Sequence, residues 1–150
     1  MNQNNYMELV IEHAKKAALL NEVPIGAALV DEKNQKLLSI RHNEIVMQNN
    51  PLNHAEMLVI EEVCKFKKSR YLGDTVIYVT LEPCAMCLGA MMHARIERIV
   101  YGAHDPKTGV CGSSENLIDA NCFNHKIDLA SGVLENECKQ LLKKFFISRR

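Results

Sequence analysis

Two short segments of this sequence carry residues that can do chemistry together: His54-Ala55-Glu56 and Pro83-Cys84-Ala85-Met86-Cys87. Either alone says little. A lone H-x-E arises often, and a lone C-x-x-C serves redox pairs, structural metal half-sites and core packing alike. Together they supply three metal ligands. Cysteines three apart on a helix share one face, so Cys84 and Cys87 can hold a single ion, and a helix N-terminus favours the thiolate forms that metals need. With His54 the set is one imidazole and two thiolates, which suits zinc. Three protein ligands leave zinc's fourth position to water, the arrangement of a catalytic centre; a structural site would draw in a fourth cysteine or histidine. Two thiolates nearly cancel the charge of the ion, so its water is acidified less than at an all-histidine site and a nearby base is useful. Glu56, two residues past His54, is the candidate proton shuttle. Its blander role would be a solvated carboxylate stabilising a helix start.

Positioning these residues requires two helix starts that meet. Met7, Val10, Ile11, Ala14, Ala17 and Ala18 recur at helical spacing and predict an amphipathic helix over residues 5–20. Residues 25–30 read as an apolar strand, 31–35 as a polar turn and 36–40 as its hairpin partner. A polar, irregular stretch over 41–53 carries Pro51 and delivers His54 to the start of a broad apolar helix running to residue 66. Residues 75–81 are dense in β-branched side chains, as a buried strand should be, and Pro83 then opens a short helix through residue 94. A strand over 98–102 leads into a long loop with Pro106, Gly109 and Gly112, a candidate functional element because long connections in compact domains usually are. A last strand over 127–133 and a C-terminal helix marked by Leu134, Cys138, Leu141, Leu142 and Phe145 complete the chain. This order implies an α/β fold in three layers, α/β/α, with helices on both faces of a mixed sheet of about five strands. Both chemical segments follow strand ends, where open α/β sheets gather ligands.

The 150 residues fit a single domain, large enough to fold without disulfides, so a metal would serve chemistry more than folding. Eighteen basic residues balance eighteen acidic ones, which excludes a whole-molecule field for nucleic acid or membrane. Contact with a polyanion must come from a local patch. One candidate is residues 139–150, where Lys139, Lys143, Lys144, Arg149 and Arg150 stand beside Phe145 and Phe146 with no acid among them. Basic residues beside aromatics suit phosphate contact with base stacking, although Phe145 reads better as core. The start of the chain has neither the charge nor the apolar run of a signal peptide, and no stretch approaches a membrane span, so a cytoplasmic protein is expected. In that reducing setting the six cysteines are free thiols or ligands.

The pairing of H-x-E with P-C-x-x-C is the known signature of zinc-dependent base deaminases. On it the chain resembles the cytidine deaminase-like superfamily, and within it most closely the bacterial tRNA-specific adenosine deaminases. The likeness runs from Val23-Pro24-Ile25-Gly26-Ala27 through Tyr78-Val79-Thr80-Leu81-Glu82-Pro83-Cys84 to Phe145-Phe146. It implies a cytidine deaminase-like fold, one zinc per chain, a homodimer, and conversion of adenosine to inosine at the wobble position of tRNA. Water would attack C6 with Glu56 as proton shuttle, on a nucleotide flipped out of the anticodon stem-loop. It further implies that Asn43 and Ala55 bind the target nucleoside, that Asp105 and Lys107 in the loop Gly102-Ala103-His104-Asp105-Pro106-Lys107-Thr108-Gly109 contact the RNA, and that Asn124 lies in a segment close to it; the local charge of the C-terminal segment adds Phe146, Arg149 and Arg150 as RNA contacts. Relatives commonly read Asp-Pro-Thr-Ala-His where this chain has Asn50-Pro51-Leu52-Asn53-His54, a departure that bears on base selectivity.

Two other readings share these residues. A deaminase of a free base or nucleoside (guanine, cytosine or cytidine) would use the same metal chemistry without needing the basic Phe145-Phe146 tail. A zinc-stabilised RNA-binding module would need a fourth ligand, from Cys111 or Cys122, and would leave Glu56 dispensable.

Overall fold

A computed structural model describes residues 1–149; Arg150, expected to contact RNA, lies outside the described residues. Helix α1 (Gln3–Leu19) opens before its apolar stripe because Asn2 and Asn5 form a capping box, each side chain accepting from the other's backbone N–H at 3.0 Å. Its buried stripe is Tyr6, Met7, Val10, Ile11, Ala14 and Ala17. Burying each larger member contributes about 1.5–3 kcal/mol. Strands β1 (Gly26–Asp31) and β2 (Lys36–His42) form the expected hairpin, and α2 (Ala55–Lys67), β3 (Thr75–Leu81), α3 (Ala85–His93) and β4 (Arg98–Ala103) follow in the expected order. The sheet order is β2-β1-β3-β4-β5, with β1 antiparallel to both β2 and β3, and β3-β4-β5 parallel.

Period-two alternation sends each strand's side chains to two cores. Ala27, Leu29, Ile77, Val79, Ile99 and Tyr101 join α2 and α3, while Ala28, Val30, Val76, Tyr78 and Val100 join α1. Helix α4 (Glu135–Ile147) packs beside α1, with Cys138 in that second core. The three layers and mixed sheet match the expected fold.

Two elements differ from expectation. Strand β5 spans only Asp128–Ala130, not 127–133, because Gly132 (φ 76°) and Leu134 (φ 52°) turn the chain into α4. Helix α3 begins at Ala85 rather than Pro83, since Cys84 is its N-cap with extended backbone (φ −80°, ψ 174°). Between β4 and β5 the chain has no helix or strand, only an isolated bridge between Cys111 and Asn116. No helix among the described residues is long and apolar enough to cross a membrane.

Candidate active site

The C-terminal ends of β2, β3 and β4 emerge on one edge of the sheet. Gly26, first residue of the antiparallel β1, pairs with His42 and donates its N–H to the Thr80 hydroxyl at 3.2 Å, while Leu81 pairs with Ala103. Both chemical segments leave from this edge. From β2 the chain passes through a loop closed at its base by the Glu44 N–H bonding the Asn53 carbonyl at 3.0 Å, and reaches α2. From β3 it passes through Glu82-Pro83 directly into α3. His54 is the N-cap of α2 and Cys84 the N-cap of α3, and neither side chain spends itself on capping.

The His54 Nδ1 atom therefore lies 3.7 Å from Cys84 Sγ and 3.5 Å from Cys87 Sγ, and all three ligand atoms fall within 4.8 Å of one another. Zinc bonds of the usual length around a tetrahedral centre would separate nitrogen from sulfur by about 3.6 Å, so the group fits the ion. Among the described residues no fourth His, Cys, Asp or Glu joins it, Cys111 and Cys122 included. The reading as a purely structural zinc site loses the ligand it needs. A hydrogen bond from Cys87, with help from His54, pulls the Cys84 thiol down to about 4, and the same bond with burial pushes Cys87 up. Bonding to Cys84 outweighs burial at His54 and raises its pKa. Burial holds Cys111 up at about 12, as a neutral thiol.

Glu56 is 4 % exposed, not the solvated carboxylate of the blander reading. Burial pushes its pKa up, opposed in part by its own backbone N–H and by His54, and Cys87 lies within hydrogen-bonding reach. A carboxyl whose pKa burial has raised, beside a metal site, can both take and give a proton.

The expected binding residues divide. Asn43 is buried, and its Oδ1 accepts the Ala55 N–H at 2.8 Å, tying the end of β2 to the first turn of α2. Ala55 itself is fully buried with that N–H taken. Asp105 faces inward on its own loop: Oδ1 accepts from the N–H of Lys107 (3.0 Å) and Thr108 (3.1 Å), and Oδ2 from the Thr108 hydroxyl (2.7 Å). This is turn chemistry. Asp105, Lys107 and Phe146 nevertheless line one cleft of about 480 Å³ with Leu81 and Leu142. Phe146 is 53 % exposed and meets Phe145 edge to face, with Phe145 in the core as expected. Arg149 folds back, its guanidinium 3.8 Å from the Phe145 ring centroid and donating to Asn21 Oδ1 at 2.8 Å. Asn124 stands apart, in a pocket with Met92, His93 and Arg95 at the C-terminal end of α3. The nine residues of α3 put that end roughly 12 Å from the ligands.

Two buried carboxylates escaped the sequence reading. Glu22 accepts from the N–H groups of Val46 (3.0 Å) and Met47 (2.7 Å), bracing the loop that leads to His54. Glu82 does the same for the segment after β4, accepting from Asp105, Cys111 and Ser113. The only hint in the sequence is acidic residues flanking apolar elements, Glu22 just after α1 and Glu82 just after β3.

Comparison with known proteins agrees with this geometry. The family model described as MafB19-like deaminase matches residues 1–150. A tRNA-specific adenosine deaminase of Bacillus subtilis (strain 168) is 46% identical over 94% of this chain and 86% of its own length. One from Aquifex aeolicus (strain VF5) is 37% identical over 97% of this chain and 95% of its own. A solved structure from a study of A-to-I editing by tRNA:A34 deaminases at the wobble position of transfer RNA superposes with a TM-score of 0.88 at 37% identity, over 92% of this chain and 99% of that one. A guanine deaminase structure from Bacillus subtilis gives a TM-score of 0.65 at 29% identity over 69% of this chain and 66% of its own. With its fold, its metal-ligand group and relatives matched along nearly their whole length, the chain belongs to the tRNA-specific adenosine deaminases.

Proposed function

We propose that this protein, a single deaminase domain over residues 1–150, converts adenosine to inosine at the wobble position of a tRNA anticodon, with zinc held by His54, Cys84 and Cys87 and a water as fourth ligand. The observation that carries the reading is the convergence of those three ligands on one point with a buried carboxyl, Glu56, beside them. A bound zinc ion supplies the Lewis acidity that makes water nucleophilic near neutral pH. Glu56 manages the protons. Its carboxylate takes one from the attacking water and delivers it to the purine ring nitrogen beside C6, then passes the second to the departing amine, so that adenosine and water become inosine and ammonia. Exclusion of bulk solvent from Glu56 keeps those protons on this path.

Recognition falls to the rim. The Asn43 amide, its oxygen committed to Ala55, retains its N–H donors for the flipped nucleoside, and Ala55 contributes as part of the pocket floor. The cleft between Lys107 and Phe146 suits an unpaired nucleotide, with the ring for stacking and the ammonium for phosphate; Asp105 shapes the loop that presents Lys107. Arg149 would reach RNA by leaving Asn21, and Arg150 follows it in sequence. Asn124 lies too far along α3 to serve the metal site of its own chain, so its role implies a homodimer in which it approaches the active site of the other copy. Sedimentation at micromolar concentration should show that dimer. Translation-linked RNA chemistry accords with a cytoplasmic enzyme.

The decisive experiment follows inosine formation on an anticodon stem-loop with adenosine at the wobble position, beside free guanine, cytosine and cytidine. Conversion of the stem-loop alone, lost in Glu56→Ala, is expected. Turnover of a free base in place of the stem-loop would replace this reading by that of a small-substrate deaminase.

A further inference from the structure

Glu82 takes no part in the chemistry derived above, yet it is 2 % exposed and saturated with donors. Oε1 accepts from the Asp105 N–H at 3.1 Å and from the Ser113 hydroxyl, and Oε2 from the N–H groups of Cys111 at 2.9 Å and Ser113 at 3.2 Å. His104 Nδ1 lies 3.6 Å from Oε1. A buried carboxylate is tolerated only when its oxygens are bonded, and buried backbone donors outside a sheet need an acceptor from somewhere. Each supplies the other's requirement. The segment from Asp105 to Ser113 belongs to no strand, and beside the Val110 N–H bond to the Pro83 carbonyl at 3.0 Å this side chain accepts three of its backbone N–H groups. Gly109 fits the same purpose, because a Cβ there would sit 2.4 Å from the Glu82 carboxyl carbon. Residues 105–108 of the same segment line the cleft that also holds Phe146.

We propose that Glu82 is a positioning residue for substrate binding: by holding the 105–113 segment from behind, its carboxylate sets the wall of the Lys107–Phe146 cleft while leaving metal binding and the proton steps at Glu56 untouched. This rests on the reading of that cleft as the RNA-binding wall. Glu82 directly follows β3, its N–H bonded to the Ala103 carbonyl at 2.8 Å, and stands two residues before Cys84, so the wall is indexed to the metal site through one short connection. A loop set that way can select among RNA substrates without altering the reaction they undergo.

Glu82→Gln keeps the shape but presents an amide N–H2 to N–H donors that need an acceptor. In the zinc-loaded enzyme, KM for the anticodon stem-loop is expected to rise about tenfold, with kcat per bound zinc within about twofold of wild type. Amide hydrogen exchange should quicken in the segment 104–114 and not in α2 or β3. Gly109→Ala should reproduce this pattern, and Ser113→Ala, which deletes one donor, should give a smaller rise of about threefold. An unchanged KM in Glu82→Gln would overturn the proposal. So would a fall in kcat or zinc content at constant KM, or exchange quickened throughout the chain, since these mark a merely structural residue. If Glu82→Gln does not fold, Ser113→Ala decides by the same readouts. If wild type itself fails to convert the stem-loop, the functional reading falls, and localised exchange in 104–114 still decides whether Glu82 holds the segment.

Discussion

The metal group and the rim around it are built on opposite principles. His54, Cys84, Cys87 and Glu56 all stand at the first turns of helices that leave the same sheet edge, so their relative positions follow from backbone elements. Lys107 stands on a loop, Phe146 in the last turn of α4 and Arg149 just past its end, where position follows from individual side-chain bonds such as Glu82 to Asp105 or Arg149 to Asn21. Reaction chemistry tolerates little displacement and belongs on rigid elements; under the proposed function, recognition falls where residues can change without disturbing it.

That contrast predicts a graded set of effects. Glu56→Gln should cost about 10³-fold in turnover with metal content unchanged, while Cys87→Ala should lose the metal and the turnover together, both read by inosine formation beside metal analysis. A rim substitution that cost as much as Glu56→Gln would break the division. Phe146→Ala should raise KM for the stem-loop about tenfold through lost stacking, with kcat little changed. Lys107→Ala should raise KM about threefold and make the slope of log affinity against log salt shallower by about one, as expected for one lost phosphate contact. A salt slope equal to that of wild type would remove Lys107 from the interface.

The smallest effect is one of stability. Burial pushes the Glu82 carboxyl up, but hydrogen bonds from Ser113, Asp105 and Cys111 more than reverse this and leave it below the ordinary carboxylate range. Its folded pKa is thus lower than its unfolded value of about 4.3, and the unfolded chain binds more protons as pH falls. The contribution is present above about 4.3 and lost as acid titrates through the depressed folded value. Thermal unfolding followed downward from neutral pH should show wild type losing more stability over this window than Glu82→Gln. Parallel curves would show that the rim does not depend on this charge.

The same division decides what could be read from the sequence. The spacing within each segment is local, Cys84 and Cys87 three apart on one helix face and Glu56 two past His54, so the pair of motifs that makes the metal group was visible before the fold. Strands β1, β3 and β4 were visible through their apolar runs. Glu82 was not, because its partners lie 23 to 31 residues away and are backbone N–H groups that carry no residue identity. Asp105 was legible as a polar loop residue, but nothing in its type separates an oxygen turned toward Lys107 and Thr108 from one turned toward RNA. Asn124 illustrates a different limit: segment order says nothing of which end of α3 a long loop will cover. The shortness of β5 came from two left-handed residues, of which only Gly132 announces itself by type.

The loop before His54 is closed at its neck by Glu44 and Asn53 and pinned just outside it by Asn43 on Ala55. A lasso drawn tight at the neck can vary in content and length while its two ends stay in register, and doubling such a loop costs only about 0.6 kcal/mol of closure entropy. Residues 48–52 are therefore the stretch open to exchange by evolution or by an engineer seeking a new substrate, while Val46 and Met47 stay tied to the buried Glu22 carboxylate.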